Sequence, residues 1–172
     1  GTLGDGTTND TKILFDGNAQ DYHIGLDDSA DTLSIGKGSA LGTTTSMTFN
    51  ANGIVTKPLQ PAFRVHKTSA QTASGNMELV TWNTEELDIG GNFASNLFTA
   101  PVAGTYLFHL TALTPASTDV EIYDIGYTPV GGSVTELMKF MSTNSDAYES
   151  LGGSAIRLMG AGETMGVYIA VR

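Results

Sequence analysis

Three histidines (His23, His66 and His109) and a set of turn carboxylates are the side chains to weigh first for chemistry. An imidazole titrates near neutral pH and ligates metals. No pair of these histidines has a spacing used by zinc sites, such as His-x-x-x-His on a helix. Their plain reading is structural; a pH response at His66 and His109 is the alternative if copies of the chain meet. Asp27, Asp28 and Asp31 lie in one short run, and carboxylates of this kind are hard oxygen ligands for calcium. Counted from Asp27, however, the sixth position is Thr32 where a calcium loop needs Gly, and the twelfth is Gly38 where it needs Glu. Solvated turn carboxylates are the simpler reading. Glu85 and Glu86 are adjacent, so on a strand they point to opposite faces and do not flank a cleft as glycoside hydrolysis requires. A Gly-x-Ser-x-Gly elbow is absent, and Gly36-Lys37-Gly38-Ser39 lacks the upstream Gly of a phosphate loop. The expectation is a protein that is not an enzyme and has no cofactor, calcium being the one ion these residues would accept.

Composition narrows the class. Of the 172 residues 40% are hydrophobic, only 15% are charged, and 21 are Gly. Thr, Val, Ile, Tyr and Phe fill the periodic stretches, which favours strands over helices. A net charge of −10 speaks against nucleic acid as a partner, because binding there rests on phosphate neutralisation. The chain contains no Cys, so disulfides and thiolate metal sites are excluded. No run approaches the ~18 apolar residues of a membrane helix, so insertion is not expected. No signal-peptide pattern is visible, and the opening Gly1-Thr2-Leu3-Gly4-Asp5-Gly6 reads as part of a longer protein.

The residues from Phe98 to Leu113 position everything near them. Pro101 and Gly104 make a turn, and a strand starts at Thr105. Tyr106, Phe108, Leu110 and Ala112 point one way, towards a core; Thr105, Leu107, His109 and Thr111 form a mixed face that is partly covered. Further strands are expected at Ala62–Lys67, Met77–Trp82, Phe93–Phe98, Val120–Tyr127, Val134–Met141, Ser154–Leu158 and Met165–Val171. Trp82 is expected as a core anchor. About eight strands in ~110 residues fit a two-sheet sandwich.

The segment Phe98-Thr-Ala-Pro-Val-Ala-Gly-Thr-Tyr-Leu-Phe108 resembles the signature of C1q/TNF-like jelly-roll domains. Its flanks agree: Pro61-Ala62-Phe63, Trp82-Asn83, Leu87 to Phe93, Ser154 to Leu158 with Gly162-Glu163-Thr164, and Val167 to Val171. The resemblance runs from Pro61 to Arg172. It implies a homotrimer about a threefold axis, with Tyr106, His109, Tyr168 and Ala170 at the interface. Both faces of the closing strand are uncharged, so one is expected to line the core and the other to meet a neighbouring copy. The resemblance also adds Glu85, Glu86, Asp88, Asp119 and Glu121 to the calcium candidates.

The first third is acidic and built of short alternating units. Ile13, Ile24, Ile35 and Met47 recur at spacings of 11, 11 and 12, with turn residues between. Strands this short bury little alone, so they need stacking, and stacking between chains in a fibre shaft is the preferred form. Asp10 to Asp21 with Ile24 to Asp31, and the junction Asn52 to Phe63, resemble segments of marine bacteriophage structural proteins where a shaft meets a terminal head. The fold class expected is therefore all-β: a shaft over residues 1–57, a stiff Pro linker over 58–61, and a jelly-roll head over 62–172. The function expected is a bacteriophage fibre or tail appendage on the virion surface. It would bind other virion proteins and a host-surface glycan or protein through loops Thr84–Asn92, Thr114–Asp119, Pro129–Ser133 and Ser142–Ser150. Glu85, Glu86, Asp88, Asn92, Asp119 and Asn144 are the candidate contacts. A capsid or tail decoration protein without a receptor, and a secreted cellular adhesin, are the alternatives.

Overall fold

Residues 2–114, 120–142 and 148–171 are described by a computed structural model. It divides into two compact units, Gly1–Pro61 and Ala62–Arg172. Every element among the described residues is a strand.

Unit 1 is a five-stranded antiparallel meander: β1 (Thr11–Phe15), β2 (Tyr22–Asp27), β3 (Thr32–Lys37), β4 (Thr45–Asn50) and β5 (Val55–Thr56), paired in chain order. The spacing seen in the sequence has a simple cause here. Ile13 pairs with Ile24, Ile24 with Ile35, and Ile35 with Met47, so the four form one row straight across the sheet. Each repeat is one strand plus one turn. The expected Asp27–Asp31 site is the β2–β3 turn. Asp27 accepts hydrogen bonds from Ser29 Oγ at 2.8 Å and the Ala30 amide at 3.2 Å, and Asp31 adopts a left-handed φ of 49°. The carboxylate is used to close the turn.

Unit 2 contains β6 (Ala62–His66), β7 (Glu78–Leu79), β8 (Thr84–Ile89), β9 (Phe93–Ala94), β10 (Leu97–Thr99), β11 (Gly104–Thr114), β12 (Glu121–Thr128), β13 (Thr135–Ser142), β14 (Glu149–Met159) and β15 (Thr164–Val171). One layer is a sheet in the order β13-β12-β15-β10-β9, with β7 also paired to β15. The other consists of two separate ribbons, β11–β14 and β6–β8. The core lies between: Phe98 and Ala100, then Phe108 and Leu110 of β11, Ile125 and Tyr127 of β12, Ala155 and Met159 of β14, and Met165 of β15. Phe63 of β6 stacks on Phe93 and Phe98 with centroids 4.9 and 5.2 Å away, and Phe98 meets Phe108 edge-on at 5.5 Å. Offset and edge-on rings of this kind add to the area they bury. Trp82 packs half-buried against this cluster.

Three differences from the sequence reading have local causes. The segment expected as one strand over Phe93–Phe98 is a hairpin, β9–β10, because Ser95 and Asn96 both take positive φ, 52° and 67°. The expected loop Thr84–Asn92 is largely strand β8. Its register against β6 skips Glu86, which bulges out and reaches both Arg64 Nε at 2.9 Å and His66 Nδ1 at 3.0 Å. The closing strand β15 lies in mid-sheet between β12 and β10, and its second face is covered within its own unit. A Cβ at Gly166 would run into Leu97 and Leu79, and Ala170 is 2% exposed. No face of β15 is left bare for a neighbouring copy.

Candidate functional site, an exposed sheet face

Alternation along β11 puts Gly104, Tyr106, Phe108, Leu110 and Ala112 on the inward side. Thr105, Leu107, His109, Thr111 and Leu113 take the outward side. β14 matches it residue for residue. Thr105 stands opposite Leu158, Leu107 opposite Ile156, His109 opposite Ser154, and Leu113 opposite Ser150. The outward face is thus a two-strand platform with no acid or base except His109. Leu107, Ile156 and Leu158 are 68%, 71% and 72% exposed, and Leu113 is similar. Apolar side chains opposite one another in pairs normally gain from mutual packing and from a cover. His109 sits among them with Nδ1 3.0 Å from Ser154 Oγ, and Thr111 Oγ1 3.2 Å from Nε2.

The other interface candidates stand elsewhere. Tyr106 is on the inward side, ringed by Phe98 and Phe108, and its hydroxyl donates to the Val102 carbonyl at 2.8 Å. Ala170 and Tyr168 belong to the outer face of the β12–β15 sheet, Ala170 buried and Tyr168 half-buried over Gly126. The expected seam of Tyr106, His109, Tyr168 and Ala170 therefore separates; only His109 lies on the exposed face. Ile156 and Leu158 take the outward side because they alternate with Ala155 and Arg157, a pattern already contained in the expected strand Ser154–Leu158.

The receptor-loop candidates divide between two ends. Asp88 accepts from the Asn92 amide at 2.9 Å and the Phe93 amide at 3.0 Å, closing a turn through Gly90 and Gly91, both at positive φ. Thr99 bonds Asn92 and pairs with Thr164, and Thr164 pairs with Thr128, so this turn, Pro129–Ser133 and the β14–β15 turn share one end. Ala62 pairs with Ile89 at that same end, which is where the chain enters unit 2. At the opposite end Thr114 Oγ1 donates to Ser142 Oγ at 3.3 Å, and Ser142 Oγ donates to Glu149 at 2.6 Å. This buried polar chain ties together the strand ends that flank segments 115–119 and 143–147. Asp119 and Asn144 lie outside the described residues. Glu85 is exposed on β8 and Glu86 is held by Arg64 and His66, so these two belong to a strand surface. Among the described residues no three His, Asp or Glu side chains converge on a metal-sized site.

Two titratable clusters have clear physical causes. Asp124 of β12 lies between Lys139 of β13 and Tyr168 of β15, and is fully shut off from water. Burial, then the negative charge of Glu136, push its carboxyl up to about 6; Lys139, 3.9 Å away, pulls the other way. Glu163 goes down instead, because it accepts from the Tyr127 hydroxyl and from the Gly160 amide at 2.6 Å. Arg157 covers the Tyr127 ring at 4.3 Å. A cleft of about 1080 Å³ opens between Phe63–Gln71 and Leu107–Leu113, where, among the described residues, β6 and β11 each have one unpaired edge. Unpaired edges of this kind can accept an extended strand.

No protein-family model matches this chain, and no curated protein matches it. Among solved structures, the globular domain of zebrafish complement 1qA protein aligns with a TM-score of 0.54 and 21% identity, over 64% of this chain and 80% of that one. Murine APRIL, in a crystal structure at pH 8.5, aligns with a TM-score of 0.47 and 18% identity, over 57% of this chain and 74% of its own. The first likeness shows the fold: this chain carries a C1q-like jelly roll.

Proposed function

We propose that this protein is a homotrimeric, non-catalytic appendage on a bacteriophage virion, whose jelly-roll head recognises a glycan or protein of the host surface. The observation that carries the trimer is the outward face of β11–β14. Leu107, Ile156, Leu158 and Leu113 stand exposed on a rigid, charge-free ribbon, an arrangement that a second copy would cover. The resemblance of Gly1 to Phe63 to phage structural segments supports the virion assignment. Recognition falls to segments 115–119 and 143–147, with Asp119 and Asn144. The described residues that flank them, Thr114, Ser142 and Glu149, lie at the end opposite Ala62, where the chain enters the head, and loops on a fixed scaffold tolerate variation.

Light scattering on the full chain at micromolar concentration tests the assembly. A trimer mass is expected, and combining Leu107→Asp with Ile156→Asp should weaken the trimer, so that a higher protein concentration is needed to hold its mass. A monomer mass for the unaltered chain would overturn the reading. Binding of the full chain to susceptible host cells, competed by excess unlabelled protein, tests the recognition role; absence of binding by a verified trimer would remove it.

A further inference from the structure

Unit 1 is a single layer, and its better-packed face is the polar one. His23 and Ser34 are buried on that side, the Nδ1–H of His23 donates to the Gly38 carbonyl at 2.8 Å, and a Cβ on Gly36 would strike the imidazole. The opposite face is built by the register itself. Its rows are Thr11–Leu26–Leu33–Phe49–Val55, Ile13–Ile24–Ile35–Met47 and Phe15–Tyr22–Lys37. Lys37, at one margin, is its sole charge. Phe15, Tyr22, Leu26 and Ile13 are between 44% and 56% exposed, and Leu33, Ile35 and Phe49 are over a third exposed. No strand of unit 1 lies over them. The leading segment Thr2–Asn9 shares a hollow with Thr11, Ile13, Ile24, Leu26 and Leu33 at one side of the face, but not with Phe15, Tyr22, Ile35 or Phe49, and is itself exposed. An antiparallel sheet with one wet side ordinarily turns its polar face outward; here the apolar face is the bare one.

We infer that this face closes against the same face of the other copies of the chain, three sheets turned inward around one axis. The inference rests on the homotrimer reading and places a second seam in unit 1, independent of β11–β14. Size is the first argument. At 150–250 Å² for a large side chain, the exposed fractions leave roughly 700 Å² uncovered. A stable interface takes about 800 Å² from each partner. Self-complementarity is the second. Of the unit's seven acidic residues, Asp10, Asp16, Asp21, Asp27, Asp28 and Asp31 lie outside these three rows and Asp5 stands in the leading segment beside one side of them, so the rows themselves meet without opposing carboxylates. A flat apolar face needs no matched pattern on its partner, and threefold closure lets each copy use the same surface.

The test uses the absence of native Cys. In the full chain, Ile35→Cys places one thiol at the centre of the face, and Leu33→Cys is the alternative in the next row. Leu14→Cys places one on the opposite, exposed face. A bis-maleimide with a reach of ~10 Å, the spacing of packed sheets, is applied at micromolar protein. Expected is a trimer mass with at least tenfold more interchain cross-linking for Ile35→Cys or Leu33→Cys than for Leu14→Cys. A trimer mass with no excess at either inward position overturns the second seam while leaving the head seam standing. A monomer mass overturns both.

Discussion

Replacing Asp124 by Asn should stabilise the protein at neutral pH and change how its stability depends on pH. Asp124 is fully buried in β12 between Lys139 and Tyr168, and its carboxyl is raised from 3.8 to about 6. In the unfolded chain it returns to the ordinary value. Between those two pH values the folded protein therefore holds a proton that the unfolded chain has released. The stability from that proton is fully present below pH ~4 and is lost as pH rises through about 6. Two units at 1.36 kcal/mol each set an upper figure of about 3 kcal/mol. Glu136 and Lys139 reach solvent, and screening reduces the expected loss to about 1–2 kcal/mol. Asn keeps the shape, carries no charge, and can donate to Glu136 as the protonated acid does. Urea unfolding at pH 5 and pH 8, at one protein concentration, reads this through Trp82, the only tryptophan. About half of that loss falls between pH 5 and pH 8, so the native chain should lose about 0.5–1 kcal/mol more than Asp124→Asn across that interval. Identical pH dependence for the two would refute the argument.

Other outcomes follow from packing. Phe98→Ala removes a ring enclosed by Phe63, Tyr106 and Phe108 and should cost about 3–5 kcal/mol in urea unfolding. Gly126→Ala would set a Cβ 2.7 Å from the Tyr168 ring and 2.8 Å from Val134, so a loss of about 1–3 kcal/mol is expected, relieved by adding Tyr168→Ala. Gly36→Ala, with a Cβ 2.7 Å from both His23 Nε2 and the Thr44 carbonyl, should melt unit 1 at a lower temperature without shifting the melting of unit 2 in calorimetry. Glu163→Gln removes a carboxylate whose proton affinity is lowered in the fold. That contribution is present above the ordinary carboxylate range and disappears as pH falls through the lowered value, so the variant should be less stable than the native chain at pH 7 and the gap should shrink as the solution is acidified below the ordinary carboxylate range.

How much was readable in advance depended on distance along the chain. Alternation from Thr105 to Leu113 is a property of consecutive residues, so it identified strand β11 and its inward side without knowing what lay opposite. The recurrence of Ile13, Ile24, Ile35 and Met47 announced strand-and-turn units, but equal spacing suits stacked coils and paired hairpins alike. The ladder of β1 to β5 chose pairing. Thr84–Ile89 reads as a loop because its two Glu mask a strand, and Ser95–Asn96 breaks a strand through backbone angles that no apolar pattern records. The uncharged faces of β15 correctly implied two covered sides; the identity of the second cover was a different kind of question.

The chain's own order of residues was enough to determine an all-β protein with its core on Phe98, Phe108 and their alternates, because side-chain period and turn chemistry are local. Tertiary structure alone decided that β15 would lie in mid-sheet under Leu79 and Leu97, and that Leu107, Ile156 and Leu158 would be the residues left bare. Strand neighbours are chosen by the total burial of many distant segments at once, and no short window contains that sum.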